Sequence, residues 1–321
     1  MNLGNTCYMN SIVQVLAQIP NFSNYFRSLD INLINKENKL LLELIYLLKD
    51  LNEKNESFSP DNFLIELQNY SKEKDLINFI GFDQNDASEF LLILIDYVYK
   101  TLERKVIINI KGDVVNEKDN LSRICFTNLR NMYSDHYCEI LNICFGNSLT
   151  EIFYKETKLT CSAQSYCILN LPIPNVKSNI TIIDCLNLYL EEENIEYFHN
   201  NQLKDCVKKT SFYNFPNVLI VSFNRFTHQI RKNHKIIYFP FENLDLNSYV
   251  KGYNSKNEFV YDLYAICNHS GSCMGGHYTS MIKLDKDKWY NFNDRIVSQI
   301  TKNINDFYSK AYVLFYIKKK Q

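Results

Sequence analysis

The feature that most restricts this fold is a change of periodicity near residue 105. Before it, apolar residues recur at helical spacing. The runs are "SIVQVLAQI" (Ser11–Ile19, stopping at Pro20), "KLLLELIYLLKDL" (Lys39–Leu51) and "DASEFLLILIDYVYKTL" (Asp86–Leu102). A further helix is expected from Ser59 as N-cap and Pro60 as first helical residue through Leu67. After residue 105 the chain turns to short runs rich in β-branched and aromatic residues. These are "YCEILNICFG", "SYCILNLPIP", "NVLIVSFNRF", "KIIYFPF", "YDLYAICNHSG", "HYTSMIKL", "KWYNFND" and "AYVLFYI". Among them Ser178–Tyr197 reads as one inserted helix, and the polar stretch Lys111–Asn120 as an exposed loop. Helices first and strands afterwards is an α+β order, not the alternation of a parallel α/β sheet.

The 321 residues fit one large domain with subdomains. A formal net charge of −1 supplies no basic field, which argues against nucleic acid as a partner. Unbroken apolar runs such as Phe90–Ile95 are far too short to span a bilayer, so no membrane partner is expected. The 10 cysteines are scattered, and no signal peptide is visible. Free thiols in a reducing compartment follow, with an intracellular location, cytoplasmic and/or nuclear.

Cys7 lies in "NLGNTCYMNS" (Asn2–Ser11), after Gly4 and before a helical run. A sulfur at a helix N-terminus meets unpaired N–H groups and the positive end of the dipole, which favour a thiolate nucleophile. A lone free cysteine is more often a small buried hydrophobe, so Cys7 needs a partner. Of the six histidines, His277 in "GSCMGGHYTSMIK" stands after glycines and at the start of a strand-like run. From that place an imidazole can reach into a cleft as a base, although a single histidine is more often structural. "WYNFND" follows, with Asn293 and Asp294. If the two runs are neighbouring antiparallel strands joined by the turn "LDKDK", either side chain can orient the ring. Without that strand the pair "ND" reads as a turn.

These segments together resemble the ubiquitin-specific proteases. "NLGNTCYMNS" resembles the family's cysteine box, and "YDLYAICNHSGSCMGGHYTSMIK…WYNFND" its histidine box. "QNDASEFL" (Gln84–Leu91) is similar to the family's QQDAxEFL helix. "LNLPIP" (Leu169–Pro174), "FPNVLIVSFNRF" (Phe215–Phe226) and "AYVLFYI" (Ala311–Ile317) are similar to three of its strands. The matches fall in order along nearly the whole chain.

The resemblance implies a papain-like cysteine protease fold of α+β class, with a helical thumb, β-rich palm and β fingers. Residues 1–105 would form the thumb, about 106–215 the fingers and connecting elements, and about 216–321 the palm. It implies a deubiquitinating thiol hydrolase that cleaves after the C-terminal Gly-Gly of ubiquitin through a thioester. Ubiquitin and ubiquitinated proteins are then its partners. Cys7 is the implied nucleophile, His277 the base and later the acid, and Asn293 the third triad residue, with Asp294 sharing or substituting for it. Asn2 aligns with the oxyanion-hole asparagine; standing next to Met1, it also reads as a mobile terminal residue. Asp86 and Glu89 match positions that contact the arginines of the ubiquitin tail, though an acidic first turn serves a helix equally. Gln84 is placed to bond peptide groups near the site. Tyr278 lines the passage for the two glycines, and His269 belongs to a loop covering the tail. "THQIRKNHK" (Thr227–Lys235) falls at another loop near the cleft.

Two departures matter. Many members hold a structural zinc with two CxxC pairs, whereas the corresponding positions here carry Phe153 and Glu156, then a single Cys206. Cys161 and Cys167 are too far apart for a zinc knuckle, and a Cys161/Cys167/His199/Cys206 set is disfavoured by its spacings, so no metal and no cofactor are expected. The family's box also begins Gly-Leu-x-Asn, and only Met1 precedes Asn2, which reads as a truncated N-terminus. An inactive ubiquitin-binding scaffold and a hydrolase for another ubiquitin-like modifier are the alternative readings.

Overall fold

Cys7 to Gln18 winds into the first helix, α1, whose buried residues Tyr8, Met9, Ile12, Val13, Val15 and Leu16 follow the helical period. It starts four residues before the expected Ser11, because Tyr8 and Met9 extend the apolar stripe back to the cysteine. The computed structural model describes all residues except 55–56, 177–178, 228–230, 256, 273–274, 285–287, 302–304 and 321. Ser178, the middle of "THQIRKNHK", Cys273 and Met274 before the candidate base, and the turn at 285–287 thus lie outside the described residues.

The chain divides into two units. One comprises residues 1–101, 225–237 and 264–315; the other comprises 102–224, 238–263 and 316–321. In the first, α1 is followed by α2 (Pro20–Ser28), α3 (Lys39–Glu53), α4 (Asp61–Glu73) and α5 (Ala87–Leu102). α1 stops before Pro20 as expected, with Ile19 extended, and Pro20 opens a new helix. It is the first residue of α2, where its missing N–H leaves nothing unpaired, and Phe22 and Phe26 one turn apart are buried. Pro60 is the cap of α4 rather than its first residue. Asp86 caps α5, its Oδ1 accepting from the N–H groups of Ser88 at 2.7 Å and Glu89 at 3.0 Å.

The same unit holds the short strands β8 (Phe226–Thr227) and β9 (Arg231–Lys232), the small helix α9 (Asn305–Tyr308) and most of a larger sheet. That sheet runs β15 (Ile296–Gln299), β14 (Lys288–Asn293), β13 (Gly275–Leu284), β12 (Val260–Ser272, here from Tyr264) and β16 (Ala311–Lys318, here to Phe315). β12 and β13 are antiparallel with Ser270 opposite His277, and β13 and β14 with Ser280 opposite Phe292. "HYTSMIKL" and "KWYNFND" are therefore neighbouring antiparallel strands, as the reading required. α1 packs on β13. Arg225 is buried and holds three carbonyls, donating to Ala311 O at 2.7 Å, Lys235 O at 2.8 Å and Asn233 O at 3.0 Å. These three bonds on Nε and Nη1 offset much of the cost of burying the guanidinium.

The second unit contains α6 (Glu117–Tyr133), α7 (Ile140–Cys144), α8 (Ile182–Tyr189) and an antiparallel four-stranded sheet. The sheet order is β2 (Thr157–Tyr166), β1 (Gly146–Tyr154), β6 (Gln202–Asn214) and β5 (Glu193–His199). Leu121 and Cys125 of α6 pack on Leu149 and Tyr213, with Cys161 and Ala163 against them. β3 (Ile168–Leu171) runs parallel to β7 (Val218–Phe223), all six of whose residues are buried. Three short strands complete the set: β4 (Ile180–Thr181), β10 (Ile237–Tyr238, opening on the last residue of the first unit) and β11 (Leu244–Asp245, paired to β12).

Three local expectations are corrected in this unit. The exposed loop ends in a helix start, because Asn116 and Asp119 form a reciprocal capping box at 3.0 Å. In "YCEILNICFG" the residues Ile140–Cys144 are helical and the strand begins at Gly146. The helix expected over Ser178–Tyr197 is only α8, and Glu193–His199 is a strand. Glu193 lies opposite Lys208 of β6 and pairs with it. A cross-strand partner there overrides local helix propensity.

Among the described residues none of the nine cysteines is in a disulfide. Cys206 is buried on β6, Cys161 stands by Cys125, and the Cys167 sulfur is 3.5 Å from that of Cys144. Among the described residues no group of three or more His, Cys, Asp or Glu side chains could hold a metal ion. None of the described helices is long and apolar enough to cross a membrane.

Candidate active site

The turn Asn2–Thr6 owes its shape to two left-handed residues, Gly4 at φ +107° and Asn5 at φ +52°. Asn2 closes it. Its Oδ1 accepts from Gly4 N and Thr6 N, both at 3.1 Å, and from Thr6 Oγ1 at 3.2 Å, while its Nδ2 donates to Asp294 Oδ2 at 3.1 Å. Asn2 is exposed, yet it is held by these four hydrogen bonds.

This turn delivers Cys7 as the first residue of α1, with 3% of its surface exposed. Helix position alone suggests a lowered thiol pKa, and the structure corrects that. Burial pushes the thiol above its ordinary value and outweighs the hydrogen bonds from the Tyr278, Tyr8 and Cys7 backbone N–H groups; the Asp294 carboxylate also raises it. Burial thus favours the neutral thiol, from which a base has to take the proton. Alkylation of Cys7 by iodoacetamide, followed by mass spectrometry from neutral to alkaline pH, is expected to rise through an inflection above about 8.5, the value of a free thiol. An inflection below neutrality would reveal a resting thiolate instead.

The Tyr278 N–H that reaches the sulfur directly follows His277 at the start of β13. His277 Nε2 lies 2.6 Å from Asn293 Oδ1 at the end of β14. A carboxamide oxygen only accepts, so Nε2 carries the hydrogen and Nδ1 is left as the basic nitrogen. The imidazole is 43% exposed, and Asp294 Oδ2 stands 4.0 Å from Nε2. Asp294 begins the tight turn into β15 at φ +49°. Its Oδ1 accepts from Asn10 Nδ2 at 2.7 Å, leaving Oδ2 to Asn2.

The other predicted residues lie around this group. Gln84 Oε1 accepts from Gly276 N at 2.5 Å, and its Nε2 donates to Asn5 Oδ1 at 3.4 Å. Asn5 Nδ2 in turn donates to Phe82 O at 2.9 Å. Asp86 uses Oδ1 as the cap of α5, and its Oδ2 accepts from Tyr312 Oη at 2.5 Å. Glu89, one turn in, is exposed; burial and then the Asp86 charge raise its carboxyl pKa. Tyr278 is buried with its ring 4.6 Å from that of His269, and burial raises its phenol far above the ordinary range. His269 is 4% exposed and sits opposite Tyr278 in the β12–β13 ladder. Burial first, then the charges of Lys232, His234, Arg225 and His277, push its pKa down to about 4, so the ring is neutral. Its carbonyl accepts from Lys232 Nζ at 2.7 Å.

The sequence reading missed Asn5, Asn10 and Tyr312. All three are polar residues inside the motif segments, and nothing local marks their distant partners.

A thiol at a helix start beside a histidine–carboxamide pair on adjacent strands is the arrangement of a thiol hydrolase. The family model described as "Ubiquitin carboxyl-terminal hydrolase" matches residues 1–316. Ubiquitin carboxyl-terminal hydrolase 2 of Gallus gallus is 31% identical, over 98% of this chain and 91% of the relative. The Bos taurus protein of that name is 29% identical over 98% of the chain and 54% of its own length. The chain thus spans about half the length of several curated relatives it matches. Among solved structures, Ubp8 of a SAGA DUB module bound to monoubiquitin superposes with a TM-score of 0.75 at 23% identity, over 100% of this chain and 68% of that one. A second, bound to ubiquitin aldehyde, gives 0.75 at 22%, over 100% and 69%. The chain belongs to the ubiquitin carboxyl-terminal hydrolase family of cysteine-type deubiquitinases, as a ubiquitin-specific protease catalytic domain with an α+β fold.

Proposed function

We propose that this domain hydrolyses the bond after the C-terminal Gly-Gly of ubiquitin through a Cys7–His277–Asn293 triad. The observation that carries the reading is the 2.6 Å His277–Asn293 bond, with the next peptide N–H, that of Tyr278, on the Cys7 sulfur. His277 Nδ1 takes the Cys7 proton as the sulfur attacks the glycine carbonyl. The oxyanion is met by the Cys7 N–H and the Asn2 N–H not held by Asp294. His277 then gives its proton to the leaving amine, and water, deprotonated by the same ring, cleaves the thioester. Asn293 keeps the ring in the reactive tautomer.

Tail recognition is assigned to Gln84, Asp86, Glu89, Tyr278 and His269. Asp86 has both oxygens engaged, so within the acidic pair the arginine-facing carboxylate is Glu89, with Asp86 holding the helix that presents it. Tyr278, buried with His269, walls the passage that admits only glycine.

Ubiquitin carrying a C-terminal electrophile tests this. A covalent adduct is expected, mapped to Cys7 and lost in Cys7→Ala. No adduct on the wild-type chain would sink the hydrolase reading. Affinity for unmodified ubiquitin then tells an inactive binder from a hydrolase for another modifier.

A further inference from the structure

Asn10 stands three residues after Cys7 on α1, so both side chains project from one side of the helix. Its Nδ2 donates to Asp294 Oδ1 at 2.7 Å and lies 3.2 Å from Met1 O. The 2.7 Å bond is a charge-assisted one, which favours short distances and fixed geometry. On its other oxygen Asp294 holds Asn2 and stands 4.0 Å from His277.

The carboxylate thus has two competing uses for Oδ2, the Asn2 amide and the His277 ring. Its residue sits in a tight left-handed turn, and two side-chain torsions leave the carboxylate plane to be set by its partners. Asn10 occupies Oδ1 from the helix side, so that turning Oδ2 toward the imidazole would break the shorter bond. Asn2 is constrained in a complementary way. Its Oδ1 already accepts three hydrogen bonds and one N–H is given to Asp294, which leaves a single N–H.

We propose that Asn10 is a positioning residue for the reaction: it clamps Asp294 so that Asp294 holds Asn2 with its remaining N–H directed at the oxyanion. This rests on the reading of Asn2 as the oxyanion donor. Asn10 touches neither substrate nor sulfur in this scheme, and its effect passes wholly through Asp294.

The experiment compares wild type, Asn10→Ala, Asp294→Ala and the double variant with a fluorogenic C-terminal amide of ubiquitin. The expected loss of kcat in Asn10→Ala is roughly 10- to 100-fold, the usual cost of removing a partner that orients a reacting group. KM should stay within about twofold, because the donor acts on the transition state rather than on bound substrate. In the Asp294→Ala background the same change should cost less than about twofold, since residues acting as one unit are not additive. Iodoacetamide alkylation of Cys7, which forms no oxyanion, should be the same in wild type and Asn10→Ala. A merely structural Asn10 would lower the melting temperature, slow alkylation and cost the same in both backgrounds; that pattern, or an unchanged kcat, overturns the inference. Absence of turnover by the wild-type chain would overturn the hydrolase reading itself, and the inference with it.

Discussion

Alanine at His277 is expected to lower hydrolysis of a C-terminal ubiquitin amide by on the order of ten-thousand-fold or more, as removal of a triad base does elsewhere. The size follows from the state of Cys7. Burial keeps this thiol protonated, and the three backbone N–H groups around it do not reverse that. Without the imidazole there is neither a nucleophile at neutral pH nor an acid for the leaving amine. Alanine at Asn293 is expected to cost much less. Its carboxamide only fixes the ring, and Asp294 Oδ2, 4.0 Å away, can accept the same Nε2 hydrogen after a rotation that breaks the 2.7 Å bond from Asn10. That rotation would take Oδ2 from Asn2, so the substitute comes with a weakened oxyanion donor. Measured kcat values should therefore order as wild type, Asn293→Ala, His277→Ala. Equal losses in the two variants would mean that Asp294 gives no support to the ring, and an active His277→Ala would remove the base assignment.

The fold class was legible, and so were the places of Cys7, His277 and Asn293 on their helix and strands, because each is written in a short window. Cys7 precedes an apolar helical stripe, His277 opens a strand after glycines, and Asn293 closes the next strand. The sign of the Cys7 pKa was not legible. A helix N-terminus is visible in sequence, whereas the burial that outweighs it depends on β13 lying over α1. Asn10 and Asp294 are 284 residues apart, and Tyr312 and Asp86 are 226 apart. No local pattern encodes either bond. Asp86 shows how one spacing serves two readings. The acidic pair suggested recognition, and the structure adds a cap whose loss would unwind the start of α5. An Asp86 variant thus mixes folding with the proposed binding, whereas Glu89 is exposed and takes no part in the cap through its side chain.

Alanine at Gly276 should be nearly as damaging to catalysis as the loss of a participating side chain, although the residue has none. A Cβ there would lie 2.2 Å from His269 Nε2 and 2.6 Å from Ser270 O, closer than any real contact. The carbonyl belongs to the paired strand and cannot rotate away. The His269 ring is buried against Tyr278, 4.6 Å away, and Phe226, 5.4 Å away, so it has no space to retreat. Strain is relieved only by moving the start of β13. That displaces the Gly276 N–H from Gln84 and carries the next residue, His277, off its 2.6 Å bond to Asn293. Overpacking of this kind costs about 1–3 kcal/mol of stability. A misplacement near 1 Å at a reacting group costs about 100-fold in rate. Gly275 is the control one residue earlier, because a Cβ there would meet nothing nearer than Gln84 Oε1 at 3.7 Å. Urea unfolding and kcat should therefore both fall in Gly276→Ala and stay close to wild type in Gly275→Ala. A Gly276→Ala protein with wild-type kcat would show that the base does not depend on the close approach of β12 and β13.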